Sequence, residues 1–524
     1  MSPWHTPWVE SSFRSHYPLT ARFRLLADPT DVCAEDWALL RVPRSDGSRL
    51  GPSALAAMKV RRNEVQPWEP NECAFVAGFA RGGHGDIAPP SVAFGDIVGA
   101  IASLVRSSSA GLPYTNEGYQ TKGAAIDAHL PRIEADALLA ADGMFGRGEH
   151  VGAPCVPIQK DELGPVGKVA RVLMSPPISV CVAIRAHLDV ITSCAYRGRT
   201  ALGFNCTGSD WGNMRQRFLP TPNGYSIVCA DAEACDASLS PAFARMVADV
   251  WELTHPGLLA QLRERFGAAH PFHNFFQCLL SMPMCLGSYE CARSSGNPSG
   301  QTLTTEVNSD ATLIVFARMA YAECADQVTV LPPDAAFEFG RAMRVAGDGP
   351  VRDLIVYGDD STALVRNDHA FSDVAGAARK CGFVWTSELE DGPVSDFPML
   401  GRTGPHAVLS RHVILNMAFY GKRGDNGTVY NERLRAALSE AARYDSDELY
   451  QVVRGAASRI AARHGFVLLC DVGLDLSFPT LHDLARSRSV SDHGPCADPR
   501  TSEGINISVF DLTTECGDIT VAAH

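Results

Sequence analysis

The stretch that most constrains this chain is LIVYGDDSTALV, residues 354–365. An apolar run enters, Gly358 interrupts it, Asp359 and Asp360 stand side by side, and an alternating run leaves. This pattern predicts a β-hairpin whose tight turn carries two adjacent carboxylates. Like charges that close repel unless a positive group sits between or beside them. Two aspartates rarely suffice for a divalent cation, because Mg2+ demands near-octahedral oxygen ligands; a third carboxylate from another element is expected. Asp231, just after the apolar strand YSIVCA (225–230), is the candidate. If strands 225–230 and 354–358 are neighbours in one sheet, Asp231 and Asp359 can face each other across a pair of metal ions.

The flanking elements set the fold class. Ser240 is a plausible N-cap, with Pro241 opening the helix SPAFARMVADVWEL. The run Thr302–Cys324 reads as a long, largely apolar and therefore buried helix, and DVAGAARKCGF as a helix ending at Gly382. NERLRAALSEAARY and DELYQVVRGAASRIAARHGF read as amphipathic helices. Residues 1–150 mix short apolar runs with Pro and Gly, which predicts irregular loops and short helices; the last forty residues are polar and poorly periodic. The order strand–helix–helix–hairpin–helix is an α+β arrangement, a small antiparallel sheet backed by helices. A loop-rich basic region precedes it and a helical region follows.

Composition narrows the function classes. With 46% hydrophobic and 20% charged residues over 524 positions, wholesale disorder is excluded. No apolar run approaches the roughly 18 residues of a membrane span, and MSPWHTPWVE lacks the form of a secretion signal. The 16 cysteines form no Cys-x-x-Cys pair, so they read as reduced core residues rather than zinc ligands. A net charge of −13 argues against a nucleic-acid partner in bulk, but its distribution matters more. Between residues 160 and 217 lie Lys160, Lys168, Arg171, Arg185, Arg197, Arg199, Arg215 and Arg217, against only Asp161, Glu162, Asp189 and Asp210. Such a locally basic surface can steer and bind phosphates.

Between the two aspartate sites lies SSGNPSGQTLTTEVNS, residues 294–309. Gly296, Pro298 and Gly300 make a bend whose backbone can approach another closely. Thr304 and Asn308 then share one face of the following helix. An Asn amide both donates and accepts, which suits a ribose hydroxyl. Each piece alone has a plain reading: a common turn, a helix cap, an internally satisfied Asn. Their combination shifts the balance.

Together these residues resemble the RNA-dependent RNA polymerases of positive-strand RNA viruses, most closely the picornavirus-like group. SSAGLPY (108–114) resembles motif G, KDELGPVGKVAR (160–171) motif F and DAEACDASLSP (231–241) motif A, with its five-residue spacing between aspartates. SGNPSGQTLTTEVNS (295–309) resembles motif B, YGDD (357–360) motif C, and LGFNCTGSDW (202–211) the stretch that precedes motif A. The resemblance implies that Asp231 and Asp359 coordinate two Mg2+ ions (Mn2+ substituting), with Asp360 in support. It implies that Asp236 and Asn308 read the ribose 2′-hydroxyl, with Thr304 in that network. Ser299 and Gly300 would contact template and nucleotide, and Lys160, Lys168 and Arg171 would neutralise the triphosphate. Ser108, Gly111, Pro113 and Tyr114 would line the template path, and Arg402 of MLGR (399–402) would grip the primer.

The sequence also departs from the family's pattern. Motif F is short, with Gly164 where an Arg commonly follows KDEL, and GFVWTSELEDG (382–392) has no motif D lysine. The segment 330–350 looks like an insertion, so the chain is expected to be a divergent member. The implied architecture is a right hand: fingers 1–192, palm 193–250, a fingers insertion 251–290, palm 291–402, and thumb with C-terminal tail 403–524. The rivals are a reverse transcriptase, which the Asp236–Asn308 pair argues against, and a catalytically impaired RNA-binding scaffold. Expected partners are template and nascent RNA, ribonucleoside triphosphates and other viral replication proteins; a protein primer stays open beside RNA-primed and primer-independent initiation. The expected setting is the host cytoplasm, in membrane-associated replication complexes, or packaging in virions.

Overall fold

The computed structural model describes residues 23–43, 64–82, 90–160, 163–164, 171–195, 200–201, 206, 209–286, 289–369, 371–387, 399–404, 406–422, 427–444, 446 and 448–466. Strands β1 (Phe23–Leu25) and β2 (Val42–Pro43) precede helices α1 (Pro70–Arg81) and α2 (Lys122–Ala141). Strands β3 (Val156–Gln159), β4 (Leu163–Gly164) and β5 (Val172–Ser175) lead into α3 (Ile178–Ala195). Then come β6 (Tyr225–Ala232), the one-turn α4 (Cys235–Ser238), α5 (Pro241–Thr254) and α6 (Pro271–Ser281). A small hairpin, β7 (Met284–Leu286) with β8 (Tyr289–Cys291), precedes α7 (Thr304–Val328) and α8 (Pro333–Ala346). The hairpin β9 (Val351–Tyr357) and β10 (Asp360–Arg366), α9 (Phe371–Lys380) and β11 (Trp385–Ser387) follow. The C-terminal part holds β12 (Arg402–Thr403), β13 (Val408–Leu409), α10 (Arg411–Phe419), β14 (Tyr420–Lys422), α11 (Gly427–Ala441) and α12 (Glu448–His464).

This is an α+β chain with small antiparallel sheets. Its main sheet has the order β11–β6–β10–β9. The expectation that 225–230 and 354–358 are neighbours is thereby corrected: β6 pairs with β10, Ser361 opposite Ala230 through Arg366 opposite Tyr225. The outgoing strand lies between, because its apolar residues Ala363, Leu364 and Val365 are fully buried and belong at the centre of a sheet. Asp231 and Asp360 also lie inside strands β6 and β10 rather than in turns. Helix α7 backs the sheet, and its run from Glu306 to Tyr321 is buried throughout. Within it, Arg318 meets the buried carboxylate of Glu72 on α1 at 2.7 Å.

Helices the sequence concealed explain the second correction. Residues 64–150 contain the 12-residue α1 and the 20-residue α2, not only short pieces. Pro131 lies inside α2, and the chain accommodates it with a kink at His129 (φ −136°, ψ 28°), so a proline that reads as a helix end bends one instead. The 330–350 segment forms α8, which lies against α1. The backbones touch there: a Cβ on Gly78 would meet Phe337 O at 1.9 Å, and one on Gly340 would meet Phe75 O at 2.1 Å.

The N-terminal segment belongs with the C-terminal helices. Strand β1 pairs with β14, and Leu26 joins the hydrophobic cluster built from α10, α11 and α12. Buried Asp31 takes two bonds from Arg463 of α12, at 2.9 and 3.0 Å, and Asp36 binds Arg411 of α10. Farther along, β2 pairs with β4, so this segment reaches from the C-terminal helices to the stretch 163–164.

Candidate active site

Antiparallel register brings the predicted aspartates to one end of the main sheet. Since Ser361 faces Ala230, the next step along both strands sets Asp360 beside Asp231, while Thr386 of β11 flanks Asp231 on its other side. Asp359 occupies the turn between β9 and β10, after Gly358 at φ +62°, a conformation in which glycine alone is unstrained. The N–H of Gly358 donates to Ser309 Oγ and its carbonyl accepts from Thr312 Oγ1, each at 2.8 Å. Helix α7 thus holds the turn from below. Neither Ser309 nor Thr312 was singled out by sequence, although both lie within a turn of Asn308.

Asp236, in the first turn of α4, accepts from Asn308 Nδ2 at 2.8 Å. Burial pushes its carboxyl up to about 6, against the opposing effect of that bond and of Arg171 and Lys160. Burial likewise raises Asp359, again opposed by Arg171 and Lys160. The buried thiol of Cys235 feels the same charges, raised first by burial and then by Asp359, Asp236 and Asp231. Asp236 and Asp359 therefore share one pair of cations, Arg171 and Lys160. Lys160 and Arg171 are joined across the mouth of the β3–β5 ladder, Lys160 N–H to Arg171 O at 2.8 Å. Lys168, the stretch 202–205 before motif A and residues 388–392 of the motif D stretch lie outside the described residues.

Strand β5 is where the glycine-rich bend docks. Gly300 N–H donates to Met174 O at 2.9 Å, and a Cβ on Gly300 would come within 2.6 Å of that oxygen. Ser299 Oγ accepts from Met174 N–H at 3.3 Å. The Thr304 hydroxyl donates to the carbonyls of Gln301 and Pro298, at 2.9 and 3.3 Å, and so braces the bend. The bend also carries a residue the sequence reading passed over. Asn297, fully buried, donates from Nδ2 to Asn308 Oδ1 at 3.1 Å. An Asn between Gly and Pro reads as an ordinary turn residue, which hid it.

The family model described as viral RNA-dependent RNA polymerase matches residues 95–460. The chain belongs to that family. A comparison with curated protein sequences gives no match. The chain is accordingly an RNA-directed RNA polymerase, a nucleotidyltransferase that binds RNA and nucleotides.

The remaining predicted contacts of the polymerase lie elsewhere. Gly111 (φ +66°) packs on the prolines after β5, where a Cβ would meet Pro176 O at 2.6 Å. Tyr114 is fully buried with its hydroxyl on Asp136, Ser108 Oγ is held by Lys122 Nζ at 2.9 Å, and Pro113 is half-buried. Arg402 is buried and bidentate to Glu440, at 2.8 and 2.9 Å, with a third bond to Ala407 O. The geometry therefore gives Arg402 an internal partner.

The polymerase family generally uses divalent cations, and the donor set here fits one. Asp231, Asp359 and Asp360 offer only hard carboxylate oxygens, in a site whose burial disfavours bare negative charge. A separate group, Glu252, His270 and His273, has ligand atoms within 4.8 Å of one another. It lies on α5 and around the start of α6, with His273 Nε2 at 2.9 Å from Asp249. Among the described residues no helix is long and apolar enough to cross a membrane.

Proposed function

We propose that the chain copies a viral RNA genome by two-metal-ion nucleotidyl transfer within a right-handed polymerase, at the cluster around Cys235. The observation that carries this reading is the common electrostatic neighbourhood of Asp231, Asp236 and Asp359, reached by Lys160 and Arg171. Asp231 and Asp359 would hold the cations, with Asp360 at the edge. Divalent cations bound there lower the pKa of the RNA 3′-hydroxyl and shield the charge that grows on the phosphates. The protein's own groups position the reactants. Lys160 and Arg171, with Lys168, receive the triphosphate; Asp236 and Asn308 take the ribose 2′-hydroxyl, the group that separates RNA from DNA precursors. Ser299 and Gly300, docked on β5, place the nucleotide against the template, and the segment 108–114 borders its path.

The palm is the main sheet with α5 and α7, the fingers the N-terminal half and 251–290, and the thumb the C-terminal helices. Residues 23–43 extend between thumb and fingers. Replication partners and a setting in cytoplasmic, membrane-associated complexes belong to the same reading.

The test is RNA synthesis on an RNA template with ribonucleoside triphosphates and Mg2+ or Mn2+. Asp359→Asn and Asp231→Asn should each abolish synthesis while RNA binding persists. A folded, unmodified chain that makes no RNA with either cation would sink the proposal. Preference for deoxyribonucleotides would move it to the reverse-transcriptase reading.

A further inference from the structure

Three side-chain amides and one carboxylate form a hydrogen-bond chain with a single direction, running from the bend to Asn308 of α7 and Asp236 of α4. The Leu303 N–H donates to Gln301 Oε1 at 2.6 Å, and Gln301 Nε2 donates to Asn297 Oδ1 at 3.2 Å. Asn297 Nδ2 then donates to Asn308 Oδ1 at 3.1 Å, and Asn308 Nδ2 to Asp236 Oδ1 at 2.8 Å. Each of the three amides has two orientations that fill nearly the same space, so shape alone does not choose between them. The ends choose. A backbone N–H can only donate, and an ionised carboxylate can only accept. Turning any one amide sets carbonyl against carbonyl on one side and donor against donor on the other. Gln301 and Asn297 are 4% and 0% exposed, so water offers no substitute partner. The Asn297 N–H also donates to Asp236 O at 2.7 Å, fixing the bend to the strand-to-helix turn that carries Asp236.

We propose that Asn297 and Gln301 are positioning residues for ribose selection, setting the orientation in which Asn308 and Asp236 meet the 2′-hydroxyl of an incoming ribonucleoside triphosphate. This rests on the functional reading above and deepens it. The relay commits one N–H and one lone pair of Asn308, leaving its second N–H and second lone pair for the ligand. Reversed, Asn308 would present its carbonyl to the Asp236 carboxylate, and the pair would repel rather than bracket a hydroxyl. Neither Asn297 nor Gln301 touches the nucleotide in this arrangement; both act through Asn308.

The experiment compares kcat/KM for a ribonucleotide and its deoxy counterpart in Asn297→Asp and Gln301→Glu. Both substitutions keep the side chain's size and remove its donor. Each should lower the ribo-to-deoxy ratio about tenfold, one hydrogen bond's worth, with deoxyribonucleotide incorporation nearly unchanged. Because the ratio is taken within one preparation, a smaller folded fraction lowers both rates and cancels. If Asn297→Asp is inactive, Gln301→Glu carries the test from one link farther away. An unchanged ratio in an active Gln301→Glu, or equal losses on both substrates, overturns the inference and leaves the polymerase reading intact. Absence of RNA synthesis by the unmodified chain overturns both.

Discussion

Ser309 Oγ accepts the N–H of Gly358 at 2.8 Å, so the turn that presents Asp359 is fastened to the helix that presents Asn308. Thr312 takes the Gly358 carbonyl at the same length, and both hydroxyls are buried. Ser309→Ala strands a buried N–H and should cost about 1–3 kcal/mol of stability. It should lower kcat more than it changes KM for the nucleotide, because the hairpin is loosened while Lys160 and Arg171, proposed above to receive the triphosphate, are untouched. Urea unfolding and steady-state kinetics on the same variant check both halves; an unchanged kcat would show that the turn holds its own shape.

The close approach of α1 and α8 at Gly78 and Gly340 makes a sharper steric prediction. A methyl at either position would penetrate a facing backbone oxygen, Phe337 O or Phe75 O, and neither carbonyl is free to swing within its helix. Gly340→Ala should therefore destabilise by roughly 1–3 kcal/mol or more, although alanine favours helix elsewhere. Gly257, within an α-helix and with nothing within 4 Å of its would-be Cβ, is the control, and Gly257→Ala should be neutral or stabilising. Thermal melting of the two variants tests the contrast.

Arg402 and Glu440 form a buried bidentate pair joining β12 to α11. Glu440→Ala strands the buried Arg402 guanidinium and should cost about 3–5 kcal/mol, whereas Arg402→Ala leaves Glu440 with Arg443 at 3.5 Å and should cost less. The double variant should cost less than the sum, because both single changes break the same pair. Unchanged primer affinity per folded molecule would mark the pair as structural, and a selective loss of primer binding in Arg402→Lys would give Arg402 the primer-gripping role.

What the sequence disclosed and withheld follows from range. The 354–365 hairpin, the Ser240 cap and the long α7 are local patterns, written in periodicity and turn chemistry, and they fold as read. Asp231 was reachable because the cation chemistry demanded a third carboxylate. The β6–β10 pairing was not reachable, since alternation marks which residues form a strand and says little about which strand lies beside it. The Arg402–Glu440 pair was not legible either, because Glu440 is 38 positions away. Asn297 was hidden by its setting, where turn propensity explains it before any contact does.

Glu306 offers a test of pH dependence outside the carboxylate cluster. It is buried in the first turn of α7, and burial raises its carboxyl to about 7 from an ordinary 4.5, with Arg185 acting the other way. A raised carboxyl pKa means that the folded protein binds more protons than the unfolded chain between those values. Unfolding free energy therefore falls as pH rises from about 4.5 to about 7, and the contribution is lost above that. At about 1.4 kcal/mol per unit, the loss amounts to about 3 kcal/mol. Glu306→Gln removes the titration, so its stability relative to the unmodified chain should improve by about that amount between pH 5 and pH 8. Urea unfolding of both proteins at the two pH values measures it. A constant difference would mean that Glu306 stays ionised in the folded chain, held by Arg185 against its burial.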